Sequence, residues 1–245
     1  MAGMGTGRNV VAFSGGKDST AMALRMAELG EDFDLLFTAT GDELPDLRCH
    51  LDRVVSMTGK TLIEPTNKGL YFWIAEHNAL PNWRQRWCTR QIKIVPCIAY
   101  LKANPGSVLH VGLRADEEER QGLYGDFATY RYPLREWGWG LAEVRKYVAD
   151  RGVTVPRRTD CALCYGQRLS EWFDLWRDHP DRFAMGEAYE TQTGHTFRSP
   201  GRDSWPASLA ELRARFEAGH RPRGIREPGL FDDIDEAESC RVCRL

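Results

Sequence analysis

The sequence predicts an α/β protein: a parallel sheet with helices on both faces. Three observations carry this. Short apolar or β-branched runs recur at 9–13, 33–38, 61–63 and 107–112. Stretches of helical spacing separate them. The first run passes at once into Ser14-Gly15-Gly16-Lys17-Asp18-Ser19-Thr20, a glycine turn followed by polar residues that start a helix. Such alternation builds βαβ units, whose strands run parallel and are covered on both sides.

Each element follows from local chemistry. Val10-Val11-Ala12 is a buried strand. Residues 18–29 form a helix stopped by Gly30, and 33–38 form the second strand. The turn cluster at 41–46 leads into an amphipathic helix at 46–57, ended by Gly59. A short strand at 61–63, a helix at 70–77 and a polar loop at 78–87 follow. Residues 88–102 read as a helix interrupted or kinked by Pro96. Ser107 to Gly112 is another buried strand, 130–134 a short extended piece, and 141–151 a helix stopped by Gly152. From Arg157 the character changes. Cys161-Ala162-Leu163-Cys164 precedes a helix with apolar Leu169, Trp172, Phe173, Leu175 and Trp176. Pro180 starts a helix to Thr193, and Ser208 with Glu211 forms a capping box for a helix through Phe216. The tail turns Arg/Pro/Gly-rich, then acidic, and ends Cys240-Arg241-Val242-Cys243-Arg244-Leu245. The division expected is an α/β domain at 1–156 and a helical appendage with its tail at 157–245.

Composition narrows the function classes. The 245 residues are 42% hydrophobic and 28% charged, which gives a packed core rather than a disordered chain. A net charge of −2 argues against a generic nucleic-acid coat, although local basic patches remain open. No apolar run approaches the roughly 20 residues of a membrane span, and residues 1–8 lack the apolar core of a secretory signal. A cytoplasmic protein without membrane partners is the expectation. With no signal peptide, the seven cysteines point to metal or redox chemistry before a disulfide framework.

In parallel sheets ligands sit beyond the carboxyl ends of the strands. The segments 14–19, 41–45 and 113–120 all follow strands and should converge there. A glycine turn at a helix start offers backbone N–H groups and the positive end of the helix dipole, and Lys17 adds a point charge. The spacing fits neither the common nucleotide loop nor the dinucleotide pattern G-x-G-x-x-G. Ser14-Gly15-Gly16-Lys17-Asp18-Ser19 instead resembles the loop of the PP-loop ATP pyrophosphatase superfamily. Four further segments are similar to its phosphoadenosine-phosphosulfate reductase branch: Thr40-Gly41-Asp42-Glu43-Leu44-Pro45-Asp46; Cys88-Thr89-Arg90-Gln91-Ile92-Lys93; Gly112-Leu113-Arg114 through Arg120; and Tyr132-Pro133-Leu134 with Trp137 and Val144. Together they span about residues 9–150.

The resemblance implies an adenine nucleotide alpha hydrolase-like fold, an ATP site and an adenylating reaction that releases pyrophosphate. It places Ser14, Gly15, Gly16, Lys17, Asp18, Ser19, Gly41, Gly112, Arg114 and Arg120 at the nucleotide, and makes Lys17, Asp18, Cys88 and Arg114 the catalytic candidates. Lys17 and Asp18 are expected in an exposed turn. Arg114 and Arg120 offer planar forks for phosphate, sulfate or carboxylate, or else form a solvated face beside the acidic run at 116–119. Asp42 and Glu43 are hard oxygen ligands for Mg²⁺, or solvated turn residues.

Cys161-x-x-Cys164 and Cys240-x-x-Cys243 could share one metal. Spacing alone favours Zn²⁺; the resemblance tips the choice to a 4Fe–4S cluster. Two unrelated pairs are one alternative, and a set made of Cys88, Cys161 and Cys164 is another. Cys49 and Cys97 read as small core residues on helix faces. The tail lacks the Glu-Cys-Gly-x-His ending of thiol-dependent reductases, and Trp87-Cys88 stands where cluster-type reductases have adjacent cysteines. The chain therefore looks more like sulfurtransferase relatives such as the DNA-phosphorothioation component. That implies a nucleic-acid acceptor and a sulfur-donor protein, with sulfonucleotide reduction and a non-enzymatic nucleotide module as alternatives. Asn82-Trp83-Arg84-Gln85-Arg86-Trp87 could stack bases beside Cys88, or simply bury its tryptophans.

Overall fold

Five short strands form one parallel sheet in the order β3-β2-β1-β4-β5. The computed structural model describes residues 7–117 and 128–225. The strands are β1 (Asn9–Ala12), β2 (Asp34–Leu36), β3 (Leu62–Ile63), β4 (Val108–His110) and β5 (Thr129–Arg131). In register, Val11 lies opposite Leu35 of β2 on one side and His110 of β4 on the other. The chain leaves β1 towards β2 and β3, then returns to build β4 and β5 on the opposite side. The crevice of such a sheet opens between β1 and β4, at their carboxyl ends.

The twofold alternation of strand residues explains the two faces. Val11, Phe13, Leu35 and Phe37 pack with helices α1 (Lys17–Glu28), α2 (Pro45–Thr58) and α6 (Leu141–Asp150). Val10, Leu36, Leu109 and Val111 face the other way, onto Cys97 and Leu101 of α4 (Val95–Ala103). A third apolar cluster lies beyond the sheet. It joins Leu70 and Ile74 of α3 (Gly69–His77) to Trp172 and Phe173 of α7 (Leu169–Asp178), Phe183 of α8 (Pro180–Thr193), and Leu212 and Phe216 of α9 (Leu209–Glu217). Residues beyond 157 therefore bury their apolar surface against 44–92 as well as against one another.

Three local expectations change. The extended piece expected at 130–134 is the fifth strand, one residue earlier, and Pro133 opens the short helix α5 (Pro133–Glu136). The helix expected at 88–102 is irregular next to Pro96, as expected: Thr89–Ile94 is a π-helical turn that runs straight into α4, and the proline ring disfavours a regular α-turn back to Ile92. Ser208 makes no side-chain cap on α9. The buried carboxylate of Glu190 takes that place, accepting Leu209 N–H at 2.7 Å and Phe197 N–H at 2.9 Å. Burial pushes the Glu190 pKa up to about 7. Cys97 is buried as expected, whereas Cys49 is exposed on α2. Arg120, Cys240 and Cys243 lie outside the described residues. Among the described residues no helix is long and apolar enough to cross a membrane.

Two histidines are built into the core. His50 meets the Thr20 hydroxyl at 3.0 Å, and His110 meets Asn9 Oδ1 at 3.3 Å. Burial lowers each pKa to about 4. The neutral ring is the folded form, so each contributes stability at pH 7 that is lost as pH falls from the ordinary 6.5 through 4. His50→Gln removes one such term. The stability of the native protein relative to this variant should fall by about 2–3 kcal/mol between pH 7.5 and 4.5. Urea unfolding of both proteins across that range measures it, and a constant difference would show that His50 does not titrate in this way.

Candidate active site

The loop after β1 is shaped by its own hydroxyls. Ser19 Oγ donates to the Gly16 carbonyl at 3.1 Å and accepts Ser14 N–H at 3.3 Å, while Ser14 Oγ accepts Gly16 N–H at 3.4 Å. Gly15 has φ +76°, a left-handed conformation, and a side chain there would come within 2.5 Å of Leu47 Cδ1. The bare backbone therefore lies directly on α2. Gly16 occupies the N-cap of α1 without a side-chain cap, so the first-turn amides face the crevice unscreened.

The loop after β4 closes the other side. Any side chain at Gly112 would meet Ser19 N at 3.2 Å, so this glycine presses the two loops together. Arg114, almost fully buried, then reaches back across the crevice. Its Nη1 lies 3.3 Å from Asp18 Oδ2, its Nε bonds Asp116 Oδ1 at 2.8 Å, and Glu117 stands 3.9 Å away. Lys17 Nζ approaches Asp18 Oδ2 at 3.4 Å from the other side. Contrary to the exposed turn expected, Lys17 is 4% exposed. Burial raises the Asp18 pKa, and the Lys17 and Arg114 charges oppose that shift. At Asp116 burial is outweighed by the Arg114 bond and by Leu141 N–H, so its pKa falls. The result is a desolvated pair of cations held in place by carboxylates, facing free helix-end amides. Such a site can bind phosphate or sulfate oxygens.

The third segment does something else. Glu43 accepts the Thr40 hydroxyl at 2.7 Å and Gly41 N–H at 3.1 Å, and contacts Arg48 at 3.4 Å. Gly41 thus spends its N–H inside the turn. Asp42 is fully buried. It accepts the Tyr71 hydroxyl on Oδ1 and Leu163 N–H on Oδ2 at 2.7 Å. Both acidic side chains are already committed to protein donors, so the Mg²⁺ role considered for them does not fit.

Asp42 brings in the segment that follows α6. A side chain at Gly16 would lie 3.8 Å from the Thr159 hydroxyl, so residues 157–164 pass close to the loop before the cysteine turn. Cys88, Cys161 and Cys164 all belong to the third apolar cluster. Tyr165 stands within electrostatic range of both Cys88 and Cys164, and Arg158 of both Cys161 and Cys164. Among the described residues no three His, Cys, Asp or Glu side chains form a metal-holding group. In the aromatic loop, Trp83 is 45% exposed and meets Tyr165 edge-on at 5.2 Å, while Trp87 packs into the third cluster. Sequence reasoning missed Thr159, Asp116, Tyr71 and Arg182. Asp116 lies within the Gly112–Arg120 segment but reads there only as part of an acidic run; Thr159, Tyr71 and Arg182 lie in no motif, and only their three-dimensional neighbours give them a role.

A parallel sheet whose switch point carries an uncapped helix start, Lys17 and a buried arginine defines a nucleotide-loop α/β protein. The chain belongs to the phosphoadenosine phosphosulfate reductase domain family, whose model matches residues 8–156. An uncharacterised protein of Methanocaldococcus jannaschii is 32% identical over 189 residues, covering 70% of this chain and 45% of that protein. The chain thus spans about half the length of this curated relative. Among solved structures, phosphoadenylyl-sulfate reductase from Candida auris superposes with a TM-score of 0.50 at 15% identity, covering 63% of this chain and 77% of that one. That likeness is one of fold. The U34-tRNA thiolase NcsA from Methanococcus maripaludis, solved with its 4Fe–4S cluster, gives a TM-score of 0.45 at 15% identity, with 97% and 80% of the two chains covered.

Lys17→Met keeps the apolar stem and removes the charge. Its affinity for a non-hydrolysable ATP analogue should drop by about tenfold or more, as loss of a charge-assisted contact implies. Calorimetric titration measures this, and unchanged affinity would remove Lys17 from the anion site.

Proposed function

We propose that the protein activates an acceptor with ATP and transfers sulfur to it, the acceptor being a nucleic acid. The observation that supports this best is the placement of Cys161 and Cys164 on a turn bonded to Asp42, in the loop after β2, at the same carboxyl end of the sheet as the Lys17–Asp18–Arg114 crevice. The loop amides, Lys17 and Arg114 hold the phosphates. Asp18 orients both cations and is the loop carboxylate nearest any Mg²⁺ carried in by the nucleotide. The acceptor oxygen attacks the α-phosphorus, the α–β bond breaks, and pyrophosphate leaves. A donor-protein persulfide passes its outer sulfur to the Cys88 thiolate and leaves as a thiol; the Cys88 persulfide then attacks the activated carbon of a base carbonyl, and AMP leaves with the oxygen. A second thiolate attacks Cys88 Sγ and frees the thiocarbonyl, leaving a disulfide that an external thiol reductant must reopen.

Cys88 is the relay candidate in this reading, and Arg120 a further phosphate contact. The pairs Cys161/Cys164 and Cys240/Cys243 would hold a 4Fe–4S cluster or Zn²⁺, which would tether the tail. The alternative is reduction of adenylyl- or phosphoadenylyl-sulfate, favoured by the family itself. Labelled nucleotide separates the two. Transfer gives AMP and pyrophosphate from ATP, whereas reduction gives sulfite from the sulfonucleotide without cleaving ATP. Formation of ADP would overturn both.

Metal content of cysteine variants tests the ligand set. Cys161→Ser, Cys164→Ser, Cys240→Ser and Cys243→Ser should each lower the iron or zinc of anaerobically purified protein, while Cys49→Ser and Cys97→Ser should not. Burial pushes the Cys97 thiol up to about 12, which makes it an inert core group. Full occupancy in both tail variants would exclude the shared four-cysteine site. Loss of activity with metal retained in Cys88→Ser would identify a relay, and loss of metal a ligand.

A further inference from the structure

Asp42 has no solvent exposure, yet four groups from separate parts of the chain converge on it. Tyr71 on α3 donates its hydroxyl to Oδ1. Leu163 N–H donates to Oδ2 at 2.7 Å, and Ala162 N–H donates to the Asp42 carbonyl at 2.8 Å. Arg182 on α8 stands 3.7 Å from Oδ1 and donates to the Tyr71 oxygen at 3.2 Å. Tyr71 in turn stacks on Tyr189 of α8 at 5.4 Å.

The two amides that Asp42 holds are those of the residues between Cys161 and Cys164. The carbonyls of the same turn are also spent. Cys161 O accepts from Arg158 at 3.2 Å, Ala162 O from Gln167 at 2.5 Å, and Cys164 O from Gln167 N–H at 3.1 Å. At its other end Asp42 stands on a fixed base. Leu70 N–H bonds Thr40 O at 2.7 Å, and Asn67 bonds Ala39 O at 2.7 Å. Packing alone does not require this arrangement. A buried carboxylate has a desolvation cost that an apolar residue of similar volume avoids, so it stabilises the fold little. It does favour one geometry, because the turn must bring Leu163 N–H to Oδ2 and Ala162 N–H to the Asp42 carbonyl while Tyr71 holds Oδ1.

We propose that Asp42 is a positioning residue that holds the Cys161–Cys164 turn at the nucleotide end of the sheet, with Tyr71 and Arg182 holding Asp42. Its consequence for sulfur delivery rests on the transfer reading above; the latch itself rests only on these contacts. It joins the family-matched region to the segment beyond residue 156, which the family model does not reach.

Cysteine footprinting of the whole protein as purified tests the latch without any turnover. Iodoacetamide labelling is followed residue by residue by mass spectrometry in the native protein, Asp42→Ala, Asp42→Asn and Tyr71→Phe. In Asp42→Ala the labelling rate of Cys164 should rise about tenfold, as loss of the Leu163 N–H bond beside it implies. Cys97, in a different cluster, should stay protected, and affinity for the ATP analogue should not change. Asp42→Asn, which still offers an acceptor to Leu163 N–H, should restore most of the protection. Tyr71→Phe should shift Cys164 in the same direction by a smaller factor, and it decides the matter if Asp42→Ala does not fold. Native-like protection of Cys164 in Asp42→Ala, or in Tyr71→Phe where the alanine variant is lost, overturns the proposal. So does equal exposure of Cys97, which would signal general unfolding. An altered latch with no AMP formed by the native protein would instead reject the transfer reading and leave the latch standing.

Discussion

The constraint on which this structure depends is the bare backbone contact around the first turn of α1. Gly15 lies against Leu47 and Leu51 of α2, and Gly112 lies against the backbone of Asp18 and Ser19. A methyl group at Gly15 would displace the Leu47 side chain from a backbone already in the left-handed region, and one at Gly112 would press directly on the backbone of Asp18 and Ser19. Because the contacts are backbone on backbone or backbone on core, the loops after β1 and β4 cannot drift apart while the sheet stays intact. The crevice between them is therefore set by the same packing that builds the core, and the helix-end amides stay oriented before any ligand arrives.

Charge is arranged to suit that confined space. Two buried cations side by side would repel, and an unpaired buried cation would be desolvated at several kcal/mol. Asp18 sits between Lys17 and Arg114, and Asp116 and Glu117 take the remaining face of the guanidinium. Asp116 also accepts Leu141 N–H at 3.1 Å, so the start of α6 is fixed to the same network. An arriving phosphate would exchange these carboxylates for its own oxygens rather than order two free side chains. The conformational entropy of Lys17 and Arg114 is already spent in folding.

The sheet and the loop were legible in the sequence because their causes are local. Alternating apolar residues make strands, and Gly15-Gly16 followed by Lys17 and Asp18 makes an uncapped helix start. What stayed hidden depends on distant partners. Ser208 reads as an N-cap, but Glu190 reaches its helix from α8 and displaces it. Glu43 and Asp42 read as Mg²⁺ ligands or as solvated turn residues, and are instead spent on Thr40, Gly41, Tyr71 and Leu163. Lys17 reads as exposed because the residues around it are small and polar, yet it is buried. The π-helical turn at Thr89–Ile94 does have a local signature, since the ring of Pro96 clashes with the Ile92 carbonyl in a regular α-helix.

The contrast between the loop crevice and the cysteine turn has a physical reason. The loop can be built from a strand, a turn and a helix, so one short stretch of sequence specifies it. Cys161 and Cys164 lie on a turn with little regular structure, where neither β-ladder nor helix bonds fix the backbone. Each of its amides and carbonyls must find a partner elsewhere or stay in water. Here those partners are the carboxylate and the main-chain carbonyl of Asp42 for the amides, and Arg158 with the side chain and main-chain N–H of Gln167 for the carbonyls. The third apolar cluster then covers Ala162 and Leu163, which are fully buried, so the turn is fixed between a polar clamp and an apolar floor. Apolar contact alone would let the turn slide, since it is indifferent to small rotations. The directional bonds of one carboxylate remove that freedom, and with it any uncertainty about where the two thiols stand relative to the crevice.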